Sequence, residues 1–297
     1  MSGMSFEERV PLSGEKDRPV RKRLLLDAAL VMAGLSIVYL GMCVFLFFKQ
    51  DSYIYFPEKT ITATPGTYRV PYEERFALAS DGVSVNYWLI RAGDPSGAVV
   101  FAHGNGGNLS DRVEKYILLS GMGLDVYAFD YRGYGKSGGE PSEEGFYRDM
   151  EAVVSEAVKD GHGERIIMYG ESIGGAVAAR AAAGRACAGL VLESSFTTAA
   201  DMAGHYYPLF PVGMILRSGF DALSSVRSCD CPVLVLHSPD DDIVPYRMGR
   251  ELMKAAGDRG RFFDLKGGHN DGGIIVSPGA SEKLREFAGD VLPERVP

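Results

Sequence analysis

Residues 24–48 read LLLDAALVMAGLSIVYLGMCVFLFF, an apolar run whose one charge, Asp27, lies near its edge. Such a run allows few structures. In hydrocarbon every backbone N–H and C=O must find its partner within the protein, and a helix of about 20 apolar residues meets that demand while crossing the bilayer. A buried core helix of this length would carry a polar stripe, and none is present. A cleaved signal peptide would have an apolar core of only about 7–15 residues with small residues after it, whereas Lys49-Gln50-Asp51 follows here. A lipid-modified Cys43 would require a small residue where Met42 stands. The run therefore predicts a transmembrane anchor over 24–48. Arg18, Arg21, Lys22 and Arg23 precede it and only Lys49 and Lys59 lie close behind. That asymmetry places the N-terminus in the cytoplasm and the rest of the chain on the periplasmic, lumenal or extracellular side.

The other boundaries follow from composition and periodicity. Residues 1–23 are polar and mixed in charge and read as a disordered tail. Residues 49–74 hold Pro57, Pro65, Gly66 and Pro71 and read as a tether and early loop. From 75 to 297 short apolar runs, at 83–90, 98–102, 126–129, 166–169, 190–192, 233–236 and 262–265, alternate with helical patterns at 111–120, 143–159, 174–184, 246–256 and 280–291. This alternation predicts an α/β domain with a mainly parallel sheet and helices on both faces. The VSVNYWLI segment alternates in polarity and suggests an antiparallel strand at an edge. Residues 196–229 break the rhythm with Tyr206, Tyr207, Pro208, Phe210 and Pro211, and read as a cap inserted over the strand ends.

The net charge of −8, with no basic stripe outside the N-terminus, argues against nucleic acid as a partner. Of the four cysteines, Cys229 and Cys231 form neither a CxxC motif nor part of a zinc set. A bridge from Cys187 to one of them stays open if the domain is extracytoplasmic.

Chemistry enters at Gly170-Glu171-Ser172-Ile173-Gly174-Gly175, between the apolar strand RIIMY and the small-residue helix AVAARAAA. This is a G-x-S-x-G elbow in its strand–turn–helix setting, where glycines let the strand and helix backbones approach around an exposed serine hydroxyl. A second loop, HGNGGN at 103–108, follows the strand AVVFA. It does not continue as a dinucleotide fingerprint, since Leu109 stands where glycine is needed. Gly135-Lys136-Ser137 likewise lacks the first glycine of a phosphate loop, with Asp130 in its place.

With HGNGGN at 103–108, DYRGYGKSGGEPSE at 130–143, GESIGG at 170–175, HSPDDDIVP at 237–245 and GGHND at 267–271, the chain resembles the α/β-hydrolase superfamily. The resemblance is to membrane-anchored members similar to acyl-thioesterases, lipases and serine aminopeptidases. It implies Ser172 as nucleophile, then an acid, then a histidine in chain order. His269 follows the last strand and takes the base position. The family pattern H-x-x-x-D-x-x-V-P implies Asp241 as the acid, with Asp240 the alternative because Ser238 replaces the usual glycine. The resemblance further implies an oxyanion hole from the backbone amides of Asn105 and Ile173, and a mechanism needing neither cofactor nor metal. The apolar residues of the insertion, Phe210 and Leu216 among them, are candidates for an acyl pocket. The expected function is hydrolysis of a carboxylic ester or thioester of a small-molecule or lipid acyl substrate. A serine peptidase of the same fold and a non-catalytic binding protein on the same scaffold are the alternatives.

Overall fold

The computed structural model describes residues 18–292, so the tail expected over 1–23 lies mostly outside the described residues. Helix α1, Arg18–Lys49, contains the apolar run and is long and apolar enough to cross a membrane once. The described residues up to Phe48 form one unit and those from Lys49 on form another.

The second unit opens with helix α2 (Asp51–Ile54) and strand β1 (Phe56–Pro57), then β2 (Glu73–Leu78), β3 (Ser84–Ile90), β4 (Gly97–Ala102) and β5 (Gly106–Gly107). Helix α3 (Val113–Ser120), β6 (Leu124–Phe129), α4 (Glu143–Lys159), β7 (Ile166–Glu171), α5 (Ile173–Gly184) and β8 (Gly189–Glu193) follow. The chain ends with α6 (Ala199–Tyr206), α7 (Val212–Ile215), α8 (Ala222–Ser228), β9 (Val233–His237), α9 (Tyr246–Ala256), β10 (Gly260–Asp264) and α10 (Ala280–Val291). Eight strands form one sheet in the order β10-β9-β8-β7-β4-β6-β3-β2, parallel from β10 through β6 and antiparallel at β3 and β2.

The period-2 pattern of each strand divides its side chains between two cores. In β4, Ala98, Val100 and Ala102 face the core shared with α4, α5, α8 and α9, and Val99 and Phe101 face that of α3 and α10. Helices on both faces bury both sides of the parallel strands, which is why those strands read as continuous apolar runs. From β4 the chain goes to β6 on one side and later to β7 on the other, so the carboxyl ends of β4 and β7 flank a topological switch point, where open sheets bind ligands.

Three expectations are corrected. Residues 49–74 are not a loose tether. Phe56 and Glu58 donate their amides to Asn105 and Gly107, pairing β1 with β5, and Tyr55 is buried against Phe146 and Phe220. Prolines announced an irregular backbone, but not that it would be packed. Strand β3 is not an edge, because β2 covers it, and both of its faces are buried. The polar Asn86 that produced the alternation is buried, its backbone amide donating to Ser137 Oγ and its Nδ2 to the Arg75 carbonyl. The insertion is shorter than 196–229, since α8 packs on α5 as the ordinary crossover helix between β8 and β9. All four cysteines are free thiols.

The unit boundary predicts the effect of truncation. Deleting residues 1–48 is expected to leave a folded, soluble body with the thermal transition of the full chain. Deleting 1–58 removes buried Tyr55 and β1, and loss of an aromatic from a core costs about 3–5 kcal/mol. Thermal unfolding of the two truncations checks this, and equal transition temperatures would contradict the packing of 49–58.

Candidate active site

Ser172 sits between β7 and α5 with φ 54° and ψ −118°, a left-handed conformation a side chain adopts only under constraint. The constraint is close packing. A Cβ on Gly170 would lie on the Gly174 backbone, and one on Gly174 would lie on the Ala102 carbonyl of neighbouring β4. The Ser172 amide is also held by the Glu193 carbonyl, 2.9 Å away.

The histidine and acid arrive from the ends of β10 and β9. His269 Nε2 lies 3.2 Å from Ser172 Oγ, and its Nδ1 lies 2.9 and 3.1 Å from the two oxygens of Asp241. Asp241 accepts hydrogen bonds from the amides of Ile243 and Val244, and its side chain is fully buried. Burial alone would raise its carboxyl. The bond to His269, that ring's charge and the two amides outweigh burial and hold it below its ordinary value. Asp240 is exposed, its amide bonded to Ser238 Oγ, so the serine that replaces the usual glycine stabilises the turn that directs Asp241 inward. Asp242 instead accepts the backbone amide of His269. On this geometry Asp241→Asn is expected to lower kcat by about 10⁴-fold, as loss of the orienting carboxylate does elsewhere. Asp240→Asn is expected to stay within about twofold, since surface changes of this kind cost little. Side-by-side kinetics of the two variants check the ranking.

Of the other histidines only His237 approaches the site, its buried Nε2 lying 3.5 Å from Asp241. His103 is buried against Tyr131, His162 pairs with Asp125, His237 bonds the Val244 carbonyl, and His205 lies exposed on α6.

The HGNGGN loop is braced from two directions. The Asn105 carbonyl accepts the Phe56 amide and the Tyr134 hydroxyl, its Nδ2 donates to the Ile54 carbonyl, and Tyr131 OH donates to the His103 carbonyl. The DYRGYG segment thus supports the loop. Ile173 opens α5, so its N–H is among those that helix geometry leaves without an intrahelical acceptor. Phe210 and Leu216 are half-buried within the insertion, whereas Leu209 and Met214 are exposed. The base of the insertion is held by Glu143, which accepts the amides of Gly219 and Phe220.

One group of residues had no sequence signal. Behind the elbow, Lys115 Nζ bonds both Glu171 and Glu193, and Arg112 bonds Glu171 at 3.1 Å and the Gly106 carbonyl at 2.9 Å. Glu193 also accepts the Tyr169 hydroxyl at 2.6 Å and the Ile274 amide at 3.1 Å. Two cations and two carboxylates therefore join the elbow, the HGNGGN loop and the loop after His269. Burial disfavours the charge on Glu171, but Lys115 and Arg112 prevail and hold its carboxyl well below the usual range. The four charged residues lie in three separate segments, so no local motif could reveal the group.

Comparison with known proteins agrees with this architecture. Residues 93–214 match the family model Hydrolase_4, described as serine aminopeptidase, S33. The chain is 33% identical over 262 residues to an uncharacterized protein of Mycobacterium tuberculosis, covering 86% of this chain and 93% of that one. It is 35% identical over 228 residues to the lysophosphatidylserine lipase ABHD12 of Rattus norvegicus, covering 66% of this chain and 57% of the lipase. An esterase of Pyrococcus furiosus superposes with a TM-score of 0.66 at 21% identity, over 80% of this chain and 98% of the esterase. With the sheet order, the elbow and these relatives together, the chain belongs to the α/β-hydrolase superfamily, as a serine hydrolase of its membrane-associated branch.

Proposed function

We propose that this chain is a membrane-anchored acyl hydrolase that cleaves a carboxylic ester or thioester through Ser172, His269 and Asp241. The observation that carries the reading is the single imidazole bridging Ser172 Oγ and buried Asp241. His269 Nε2 takes the hydroxyl proton as Ser172 Oγ attacks the acyl carbonyl, and Asp241 steadies the imidazolium that forms. The amides of Asn105 and Ile173 receive the oxyanion, each such donor contributing about 3 kcal/mol to the transition state. The tetrahedral adduct collapses as His269 returns the proton to the departing alcohol or thiol. Water, deprotonated by the same ring, then releases the acid and restores Ser172. None of these steps calls on a bound cofactor.

A lipid acyl ester is the favoured substrate, since the domain is tethered at a bilayer and one relative is named a lipase. The basic residues ahead of α1 favour a cytoplasmic N-terminus and a hydrolase body on the opposite side. The peptidase reading is kept because the matching family model is described as an aminopeptidase.

Turnover across acyl esters, acyl thioesters and aminoacyl amides, with Ser172→Ala as control, tests the assignment. Esters or thioesters are expected to lead, and preference for aminoacyl amides would replace the proposal. Half-buried Phe210 and Leu216 supply a finer test. If they line the acyl pocket, the double alanine variant lowers kcat/KM for long acyl esters by about tenfold or more and barely affects acetate esters, each buried methylene contributing about 0.8 kcal/mol. Equal losses for both lengths, with a lowered melting temperature, would assign them to packing.

A further inference from the structure

We propose that the exposed apolar face of the α6–α7 insertion docks on the membrane that α1 enters, so that acyl substrate reaches Ser172 from the bilayer surface. The docking rests on a membrane-spanning α1, and the substrate route rests on the acyl-hydrolase reading.

Three observations support it. The apolar helix over Arg21–Lys49 has 29 residues. At 1.5 Å per residue it is about 43 Å long, against a hydrocarbon core of about 30 Å. The chain therefore leaves α1 at headgroup level, and the body begins at once with Gln50. That residue is buried and grips the insertion, donating Nε2 to the Ile215 carbonyl at 3.2 Å and accepting the Arg217 amide at 2.7 Å. Asp51 adds an ion pair to Arg217 at 2.6 Å. The end of α7 is thus bonded to the first residue after the span.

The other end of the insertion reaches the acid loop, where Tyr206 OH donates to the Ile243 carbonyl at 2.7 Å, two residues from Asp241. The insertion accordingly runs from the membrane-proximal end of the body to the edge of the candidate site. On the site's other side, Asn105 is bonded to Ile54 and Phe56, only a few residues beyond Gln50.

Between those two ends the insertion presents large apolar side chains to solvent. Met214 is 85% exposed, Leu209 83%, and Tyr206 and Tyr207 48% each. Exposed apolar groups clustered in this way mark an interaction surface, and tyrosines suit a headgroup boundary because one end is apolar and the other polar. Tyr53 and Phe56, both about half exposed, add aromatic groups within seven residues of Lys49. The bilayer is the occupant chosen because the bonds of Gln50 keep this face beside the point where the chain emerges from it.

The test uses the full-length protein in phosphatidylcholine vesicles containing brominated phosphatidylcholine, which quenches tryptophan on contact. The chain has one tryptophan, Trp88, and it is buried. M214W reports on the insertion. E164W reports on an exposed loop before β7, at the opposite end of the parallel strands from Ser172. M214W fluorescence is expected to fall at least about twofold and E164W to change little, because only groups inserted at the interface meet the bromine. In parallel, L209S/M214S is expected to lower hydrolysis of an acyl ester embedded in the vesicle about tenfold while leaving a water-soluble acetate ester unaffected. Quenching of M214W no greater than that of E164W overturns the docking. Quenching without turnover of either ester upholds the docking and overturns the acyl-hydrolase reading. Quenching with undiminished turnover of the embedded ester in L209S/M214S overturns the route of entry.

Discussion

Ser172→Ala is expected to lower kcat by about a millionfold, His269→Ala to do nearly the same, and the pair together to do little more, because in the proposed mechanism the residues act as one proton-transfer unit. The fold should survive both changes. Ser172 Oγ bonds only His269 among the described residues, while the backbone bonds that hold the elbow, to Glu193 and Gly175, involve no side-chain atom of the serine. Alanine at this φ meets the same backbone strain that serine already tolerates. Labelling by a fluorophosphonate should be lost in Ser172→Ala, with an unchanged thermal transition. Retention of even about one per cent of wild-type kcat in a folded Ser172→Ala protein would place the nucleophile elsewhere, since loss of such a nucleophile removes far more.

The second large effect is expected in the charge cluster behind the elbow. Lys115→Met leaves Glu171 and Glu193 buried with Arg112 as their remaining cation, and breaking a buried charge cluster by removing one partner costs about 3–5 kcal/mol. The thermal transition should fall by about 10 °C. The pH dependence identifies the cause. In the wild type Glu171 is held below its ordinary value, so its contribution is complete above about pH 4.3 and fades only as pH falls through the folded value. Without Lys115, Arg112 alone opposes burial, and the carboxyl of Glu171 rises from its wild-type value. A raised folded pKa gives stability that is present at low pH and lost as pH increases. Relative to the wild type, the variant should therefore gain stability as pH falls from 7 to 5. Chemical denaturation at the two pH values checks this, and parallel behaviour of the two proteins would remove Lys115 from the cluster. Because Glu193 also holds the Ile274 amide and Arg112 the Gly106 carbonyl, the variant should also lose kcat.

What could be read from the sequence was local. Apolar periodicity located the parallel strands and their helices, because a strand or helix face is written in neighbouring residues. The elbow was legible for the same reason, since a sharp turn between strand and helix requires glycine at fixed offsets from Ser172. The apolar run at 24–48 needed no partner to declare itself. Tertiary structure decided the rest. Three consecutive aspartates are chemically alike, and only the turn tied by Ser238 and the loop of His269, which folds back from the end of the next strand, set Asp241 rather than its neighbours against the imidazole. Residues 49–58 become part of the body only because β5 and the Phe146–Phe220 cluster, far along the chain, give them hydrogen bonds and a core to join. The Arg112–Lys115–Glu171–Glu193 cluster is the extreme case. Each charge alone resembles an ordinary surface residue, and only folding, by removing water from all four together, makes every one of them depend on the others.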